Sequence, residues 1–468
     1  MQYTKLDLTI QKQLQQLIDA YAPLNEIIEK LDNAGGTVLL VGGAVRDLFL
    51  GLPIKDIDIE VHNVSLEKVE KNLQSFGPVS IVGKQFGVLR LHGLDVDWSL
   101  PRADSSGRKP QVELDPFMGI QQACARRDLT INAMAIDLKK MHLIDPFGGL
   151  QDLHDNVLRP PDPKKFSEDP LRFYRVMQFV ARFAMQPTDA LNALCKKMDL
   201  STVSRERIEQ ECKKWLLKSD KPSLALDWLD TIGRLQELFP ELAILKKIKQ
   251  SPEWHPEGDV FEHTKQALDA AAQLEYSSEK EKLIGLYAAM CHDLGKATTT
   301  KKRNGRWTAY GHPEESERLA KKVLKRITNE KDLIAAVATM ARYHMAPPQF
   351  VDHGSKPSAY KRLAKKLAAV NVTLEMLGKL SLADYRGRNP KKGKPLTTPM
   401  PKIATFFEKA KKARVLHAPE KPLLSGQDLM GIVEPGPKMG DMLKKAYQLQ
   451  IDEGITDKAE LIQRITAS

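Results

Sequence analysis

Residues 41–60, VGGAVRDLFLGLPIKDIDIE, decide the fold of the first part of this chain. An apolar run leads into Gly42 and Gly43, which predicts a strand, a tight turn and then a helix. The segment DIDIEV alternates polar and apolar residues and predicts a second strand. Because residues i and i+2 of a strand point to the same face, Asp56 and Asp58 should lie side by side.

Two carboxylates held this close repel each other unless a cation lies between them. Their oxygens suit Mg²⁺, which keeps several waters and substrate phosphates among its ligands. Glycines before a helix let backbone N–H groups approach a phosphate. The stretch therefore predicts a site for Mg²⁺ and a triphosphate. A surface strand with solvated acids, which has the same D-x-D pattern, is the alternative.

The full string, GGAVRD followed by eight residues and DID, is more specific than the acid pair. It resembles the signature of the nucleotidyltransferase superfamily, in the branch that contains bacterial tRNA nucleotidyltransferases (CCA-adding enzymes) and bacterial poly(A) polymerases. The resemblance implies that Asp56 and Asp58 are catalytic Mg²⁺ ligands, and that Gly43 and Arg46 contact the nucleotide.

A third acid is expected on the strand predicted for LDVDWSL. Asp95 and Asp97 share one face of this strand by parity, so the alternation alone does not choose between them. The resemblance favours Asp97, because DWSLPR matches the family pattern of an acid followed five residues later by arginine. Three acids on adjacent strands would hold two Mg²⁺ ions for in-line phosphoryl transfer.

Composition sets the broad class of the protein. A chain of 468 residues with 42% hydrophobic and 28% charged residues is expected to be a soluble globular protein of several domains. It has no apolar run long enough for a membrane span and no signal-peptide core. Four widely spaced cysteines indicate buried thiols in a reducing cytoplasm. The net charge of +11 favours a polyanionic partner such as nucleic acid.

Residues 102–125 are polar and contain glycine and proline, which predicts a mobile loop. The family has a flexible loop here that is implicated in the switch to A addition. Arg102 and Arg108 would contact phosphates in that role, and a solvated loop is the default alternative.

The string RRDLTINAMA follows this loop. Taken alone, it predicts the start of a helix with Asp128 as its N-cap. It resembles the family motif RRD-x3-N-A, which contacts ribose and triphosphate. The resemblance implies that Arg127, Asp128 and Asn132 bind the nucleotide.

The string SEDPLRFYR predicts a helix that begins near Ser167, with Asp169 and Arg172 on one face. An ordinary ion pair has the same spacing. The pair would also suit C and A, whose amine donates to a carboxylate and whose ring accepts from a guanidinium. The string resembles the E-D-x-x-R template for CTP and ATP. The resemblance implies that Asp169 and Arg172 read the base, that Glu168 orients Arg172 and that Arg175 assists.

A second site is predicted after residue 255. Six residues follow the order H…HD…H…H…D: His263, His292, Asp293, His312, His344 and Asp384. This order resembles the HD phosphohydrolase superfamily, and imidazoles with carboxylates suit a divalent transition metal. The resemblance implies His263, His292, Asp293 and Asp384 as core ligands. His312 and His344 are second-metal ligands, phosphate binders or structural residues, and Lys296 is a candidate phosphate contact.

The predicted fold class is α+β, with a small mixed-sheet nucleotidyltransferase head followed by all-α domains. Five parts are expected: a helical extension at 1–34, the head at 35–159, a helical neck at 160–250, the HD domain at 251–390, and a linker with an RNA-binding tail at 391–468. The tail carries PGPKMG, which resembles the tail element of bacterial CCA-adding enzymes.

The resemblance implies an enzyme that adds CMP and AMP from CTP and ATP to tRNA 3′ ends, with HD phosphodiesterase or phosphatase activity. One alternative is a poly(A) polymerase, or an enzyme that adds only CC or only A. The other is an HD phosphohydrolase whose head merely binds RNA.

Overall fold

The computed structural model describes residues 3–54, 56–82, 87–104 and 112–467. The chain forms two compact units, residues 1–203 and residues 204–468. Among the described residues, no helix is both long and apolar enough to cross a membrane. All four cysteines are buried and free, as the sequence predicts.

Strands of the first unit make one large sheet and two small pairs. They are β1 (Tyr3–Lys5), β2 (Thr37–Val41), β3 (Ile57–His62), β4 (Val79–Val82), β5 (Val88–Leu91), β6 (Val96–Ser99), β7 (Arg102–Asp104), β8 (Val112–Leu114), β9 (Ala135–Asp137), β10 (His142–Ile144), β11 (Val157–Leu158) and β12 (Gln186–Pro187). Within the described ranges, eight of them form a sheet in the order β1-β10-β9-β2-β3-β6-β5-β4. The sheet is mixed, because β3 and β6 are parallel while its other pairs are antiparallel.

The described part of the first unit also contains nine α-helices. They are α1 (Leu8–Ala20), α2 (Leu24–Asn33), α3 (Gly43–Phe49), α4 (Leu66–Gln74), α5 (Ile120–Ala125), α6 (Gly149–His154), α7 (Pro163–Glu168), α8 (Leu171–Phe183) and α9 (Asp189–Lys197). The strand–turn–helix–strand order predicted around residues 41–60 is present as β2, α3 and β3. The sequence missed β1, a three-residue exposed strand that lacks a clear apolar alternation.

Three local predictions in this unit are wrong. Residues 102–125 are not one loop, since β7, β8 and α5 lie within them. Asp128 is not a helix N-cap, because a 3₁₀ turn at Thr130–Asn132 begins after Leu129. Ser167 does not start a helix. It lies inside α7, which begins at Pro163 because the Asp162 carboxylate caps the N–H groups of the next turn.

The second unit is mainly helical. Its helices are α10 (Arg205–Leu217), α11 (Ser223–Thr231), α12 (Leu235–Leu238), α13 (Pro240–Ala243), α14 (Val260–Ala272), α15 (Glu279–Cys291), α16 (Lys296–Thr299), α17 (His312–Ile327), α18 (Lys331–Tyr343), α19 (Ala346–Asp352), α20 (Pro357–Ala368), α21 (Leu374–Arg386), α22 (Pro401–Lys412), α23 (Pro437–Glu453) and α24 (Lys458–Thr466). One antiparallel hairpin interrupts them, made of β13 (Lys301–Arg303) and β14 (Arg306–Thr308).

Helix packing in this unit brings the predicted metal ligands together. Helix α14 packs against both α15 and α21, and α15 also packs against α18. Every residue of α15 from Leu283 to Cys291 is buried, so this part of the helix is enclosed by its neighbours on all sides. His292 and Asp293 lie just past its last residue, Cys291.

Candidate active sites

Asp58 of β3 lies opposite Asp97 of β6 in the parallel pairing of these strands. Asp56 directly precedes β3, and Asp95 directly precedes β6. Burial raises the pKa of Asp58; the charge of Arg127 offsets part of this effect, while the charges of Asp97 and Asp56 add to it. Three acids therefore converge on one place, and a cation bound among them would relieve their repulsion.

Asp97 already has a cationic partner on the neighbouring strand. Arg90 of β5 is its cross-strand partner, and the Arg90 Nη2 atom lies 2.6 Å from Asp97 Oδ1. Both side chains are partly exposed, so the pair is screened by water. The three acids are thus not equivalent, since Asp97 is partly neutralised.

The glycine turn faces these acids. Gly42 has φ of 71°, a conformation that glycine adopts at little cost. A Cβ at this position would lie 2.9 Å from Arg127 Nη1 and 3.8 Å from Asp58 Oδ2. Glycine therefore lets the backbone before α3 pass close to both Arg127 and Asp58. Gly43 begins α3, and Arg46 on the same helix is buried.

Glu60 continues the acid row of β3, and the sequence reading missed it. Its Oε2 atom lies 3.5 Å from Arg127 Nη2, and its Oε1 atom lies 3.0 Å from His62 Nε2. Burial would raise the pKa of Glu60, but the His62 hydrogen bond and the Arg127 charge outweigh it and keep the pKa below its usual value. The i+2 spacing from Asp58 is the signal that identifies this residue.

A chain of hydrogen bonds links α3 to α8. Arg46 Nη1 donates to Asn132 Oδ1 at 2.6 Å, and Asn132 Nδ2 donates to Asp128 Oδ1 at 3.0 Å. Arg175 Nε then donates to Asp128 Oδ2 at 2.5 Å. The Arg46 guanidinium also lies over the ring of Phe183, 4.9 Å from its centroid. Four predicted nucleotide-binding residues therefore form one connected group.

The predicted base readers lie between two helices. Asp169 is not on a helix with Arg172, as predicted, because its backbone is extended (φ −117°, ψ 102°) in the break before Pro170. Its carboxylate accepts a hydrogen bond from the Leu171 N–H at 3.0 Å. Glu168 is exposed at the end of α7.

Arg172 is held by backbone carbonyls. Its guanidinium donates to the Lys165 carbonyl at 2.8 Å and to the Arg126 carbonyl. Burial lowers the pKa of Arg172, although nearby acids oppose the shift. The predicted role of Glu168 in orienting Arg172 stays a prediction. Arg102 lies in β7, and Arg108 lies outside the described residues.

The second centre is built from four histidines and two aspartates. His263 Nε2 lies 3.3 Å from His292 Nε2 and 3.1 Å from Asp384 Oδ1. His312 Nε2 lies 3.2 Å from His344 Nε2 and 3.5 Å from Asp293 Oδ1. Two groups with metal-ligand spacing result, namely His263 with His292 and Asp384, and Asp293 with His312 and His344.

Asp293 lies between the two groups. Both of its oxygens are buried; Oδ2 lies 2.7 Å from Lys296 Nζ, and Oδ1 has no hydrogen-bond partner among the described residues. Burial alone would raise the pKa of Asp293, but Lys296 and the nearby histidines hold it well below its usual range. Burial lowers the pKa of His344 to about 3. Neutral imidazole beside an ionised carboxylate is a donor set that suits a divalent metal ion.

Supporting residues around this centre were missed by the sequence reading. Glu257 Oε1 lies 2.8 Å from His263 Nδ1 and 2.9 Å from His255 Nδ1, so it orients the His263 ring. Arg388 Nη2 lies 3.1 Å from Asp384 Oδ1. The spacing H-x-E in WHPEGD is the only signal for Glu257, and it is weak.

Comparison with known proteins gives two family matches. The model "Poly A polymerase head domain" matches residues 38–159, which contain the three acids. The model "HD domain" matches residues 260–376, which contain all of the second centre except Asp384.

Solved structures share the fold of this chain. A CCA-adding enzyme in complex with CTP, from Bacillus stearothermophilus, has a TM-score of 0.64 and 20% identity, covering 98% of each chain. The Thermotoga maritima CCA-adding enzyme complexed with tRNA has a TM-score of 0.57 and 22% identity, covering 97% of this chain and 98% of that one. The α+β class predicted from the sequence is confirmed.

Relatives with higher identity cover most of the chain. The multifunctional CCA protein of Nitrosospira multiformis is 36% identical over 314 residues, or 65% of this chain and 72% of the relative. That of Alcanivorax borkumensis is 35% identical over 367 residues, or 75% of this chain and 85% of the relative. With both sets of site residues in place, the chain belongs to the family of multifunctional CCA proteins.

Proposed function

We propose that this protein is a nucleotidyltransferase that adds CMP and AMP, from CTP and ATP, to tRNA 3′ ends without a nucleic-acid template. The observation that carries the proposal is the pairing of Asp58 with Asp97 opposite a glycine turn that closely approaches Arg127. Relatives named multifunctional CCA proteins support it, as do CCA-adding enzyme structures with tRNA, CTP and ATP.

Each residue of the head has a defined task in this account. Asp56, Asp58 and Asp97 form the acidic group that faces the reacting phosphate. Mg²⁺ bound among these acids would supply charge neutralisation and Lewis-acid chemistry. Arg127 and the backbone N–H groups at the start of α3 bind the triphosphate. The terminal ribose hydroxyl of the RNA attacks the α-phosphate, and pyrophosphate leaves.

Base choice is assigned to Asp169 and Arg172. The Asp169 carboxylate accepts a hydrogen bond from the exocyclic amine that C and A share, and Arg172 donates to the ring. G and U present the opposite pattern there and are rejected. The carbonyls of Lys165 and Arg126 hold the Arg172 guanidinium in place, which reduces the entropy lost when a nucleotide binds.

The second activity is that of a metal-dependent phosphohydrolase, either a 2′,3′-cyclic phosphodiesterase or a phosphatase. His263, His292, Asp293 and Asp384 would hold a divalent transition metal, which would supply Lewis-acid chemistry. Asp293 would also join His312 and His344 in a second position. Glu257 fixes the His263 ring, and Lys296, whose Nζ atom lies 2.7 Å from Asp293 Oδ2, is placed to meet a phosphate.

Several finer assignments belong to the same proposal. The metal is Mg²⁺ in the head and a transition metal in the second centre. We also propose the division of the chain into extension, head, neck, HD domain and tail, and a cytoplasmic location.

The test uses tRNAs that lack CCA, CA or A, each incubated with one labelled nucleotide and Mg²⁺. Addition of C, then C, then A supports the proposal. Unlimited A tracts would indicate a poly(A) polymerase, and addition of only C or only A would indicate a partial enzyme. No addition, together with hydrolysis of a 2′,3′-cyclic phosphate, would indicate an HD phosphohydrolase with an RNA-binding head.

A further inference from the structure

A basic hairpin connects two helices that carry residues of the second centre. Strands β13 and β14 connect α16, which carries Lys296, to α17, whose first residue is His312. Both ends are fixed, because Gly295 donates its N–H to Ser316 Oγ at 2.9 Å and packs too closely against the His312 carbonyl to accept a Cβ. Strands of three residues extend ~10 Å at about 3.3 Å per residue, so the whole hairpin lies near the centre.

The open side of the centre lies at the base of this hairpin. His263, His292 and Asp293 have side-chain exposures of 0–2%, whereas Lys296 and His312 are 11% and 12% exposed and Asp384 is 10% exposed. The two residues that anchor the hairpin strands therefore lie on an accessible side of the centre. A ligand longer than the reacting group extends past these residues towards the hairpin.

Charge on the hairpin is positive and locally unbalanced. Residues 294–313 contain no aspartate or glutamate, and the hairpin cations are Lys301, Lys302, Arg303 and Arg306. Arg303 and Arg306 are direct cross-strand partners, an arrangement that is unfavourable for like charges. In the described part of the chain, no carboxylate forms a salt bridge with any of the four. An anionic partner would relieve this repulsion.

Exposed aromatic side chains accompany these cations. Tyr310 is 74% exposed, and Arg303 lies 5.1 Å from its ring centroid. Trp254 is 62% exposed in the segment before Glu257, and Lys296 Nζ ties that segment to the centre by donating to Gln250 Oε1 at 2.8 Å. Trp307 lies opposite Lys302 in the hairpin. Cations interleaved with exposed rings are typical of surfaces that bind single-stranded nucleic acid.

We propose that this hairpin, with Trp254 and Tyr310, binds single-stranded RNA just upstream of the 3′ end that enters the second centre. The substrate of that centre is then an RNA end rather than a free nucleotide. This inference rests on the proposed phosphohydrolase activity. The cations hold the RNA phosphates, and the aromatic rings stack with bases without sequence preference.

The test compares two substrates of the full-length protein, a 2′,3′-cyclic mononucleotide and a short single-stranded RNA that ends in the same cyclic phosphate. In the hairpin variant, Lys301, Lys302, Arg303 and Arg306 become Gln. The control variant carries Lys280→Gln, Lys325→Gln, Lys331→Gln and Lys356→Gln, at four exposed lysines outside the proposed neck and tail, and loses the same net charge. The hairpin variant should show a raised KM for RNA only, and the control should match the wild type.

Salt dependence gives a quantitative expectation. Each phosphate contact with single-stranded nucleic acid contributes about 0.7 to the magnitude of the slope of log affinity against log salt concentration. Loss of four such contacts should therefore reduce the magnitude of the slope of log(1/KM) against log salt concentration by about three. Equal hydrolysis of RNA by the hairpin variant and the wild type would overturn the proposal. An equal loss of activity towards both substrates would also overturn the proposal, because the hairpin would then affect the centre itself and not RNA binding.

A crosslinking readout separates this inference from the proposed activity. RNA with 4-thiouridine near its 3′ end should crosslink to the hairpin, Trp254 or Tyr310, as identified by mass spectrometry, whether or not the centre hydrolyses the end. If neither substrate is hydrolysed by the wild type but the crosslink forms, the proposed activity fails and the RNA surface stands. Absence of a crosslink in this region would overturn the RNA surface.

Discussion

Asp58 and Asp97 lie opposite each other across the only parallel strand pairing described in the large sheet. Cross-strand partners share a face of the sheet, so the two carboxylates point to the same side as Asp56. Their mutual repulsion contributes to the raised pKa of Asp58. A site that is unfavourable for its own charges in this way is one that binds a cation.

Mg²⁺ should therefore stabilise the protein through these acids. A ligand that binds only the folded state at ten times its Kd adds about 1.4 kcal/mol to the free energy of unfolding. We expect Mg²⁺ to raise the Tm of the wild type and to have a smaller effect on Asp58→Asn. Asp115→Asn, at a partly exposed acid of the same unit, serves as the control. An equal shift in all three proteins would mean that Mg²⁺ binds elsewhere.

Substitution of Gly42 should impair nucleotide binding. In Gly42→Ala, the new methyl group meets the Arg127 guanidinium, so Arg127 must move away from Asp58 and Glu60. Gly51→Ala is a matched control, because Gly51 also has a positive φ (64°) but has open space around it. Both variants should lose about 1 kcal/mol of stability from backbone strain.

Nucleotide-addition kinetics distinguish the two glycine variants. Only Gly42→Ala should show a raised KM for CTP and ATP. Similar KM values for the two variants would show that Arg127 does not bind the triphosphate.

Arg172 should control which bases are accepted. Loss of one good hydrogen-bonding pair to a base costs about 1–3 kcal/mol of discrimination, which is roughly 5-fold to 160-fold. We expect Arg172→Ala to lower kcat/KM for CTP and ATP relative to UTP and GTP by this factor. Arg172→Lys should restore the charge but not the discrimination, because lysine lacks the planar donors. If all four nucleotides lose activity in proportion, Arg172 has only a structural role.

Sequence patterns predicted the acid pair from its spacing and the second centre from the order of its residues. The i+2 alternation placed Asp56 and Asp58 on one face, and the order of histidines and aspartates identified residues that helix packing brings together. The placement of Asp169 failed because α7 ends at Glu168 and α8 begins only after Pro170, so Asp169 lies between two helices.

Some contacts between distant segments could not be predicted from sequence patterns. The path from Arg46 through Asn132 and Asp128 to Arg175 joins three separate segments of the chain, so no local pattern reveals it. Glu257 likewise becomes recognisable only when folding brings it against His263.

Asp269 should make stability depend on pH. Burial raises its pKa to about 6, although the N–H and hydroxyl of Ser223 donate to its carboxylate and oppose the shift. A carboxyl whose pKa is higher in the folded state stabilises the fold when protonated, and this stability is lost as pH rises through the folded pKa. A shift of about two units corresponds to at most about 3 kcal/mol.

Replacement of this carboxyl by an amide should remove that dependence. We expect the free energy of unfolding of the wild type to fall relative to that of Asp269→Asn as the pH rises from about 4 to about 7, because this range spans the ordinary pKa of 3.8 and the raised value of about 6. Asp230→Asn, at a partly exposed acid of α11, is the control. Parallel pH curves for the wild type and Asp269→Asn would show that Asp269 is ionised throughout.

The most direct test of two separate active sites is a reciprocal pair of variants measured in both assays. Asp58→Asn should abolish labelled C and A incorporation into tRNA that lacks CCA, while hydrolysis of a 2′,3′-cyclic phosphate by the same sample stays at the wild-type rate. Asp293→Asn should show the reverse. If Asp58→Asn still adds C and A, or if either variant loses both activities while remaining folded, the assignment of the two sites is wrong.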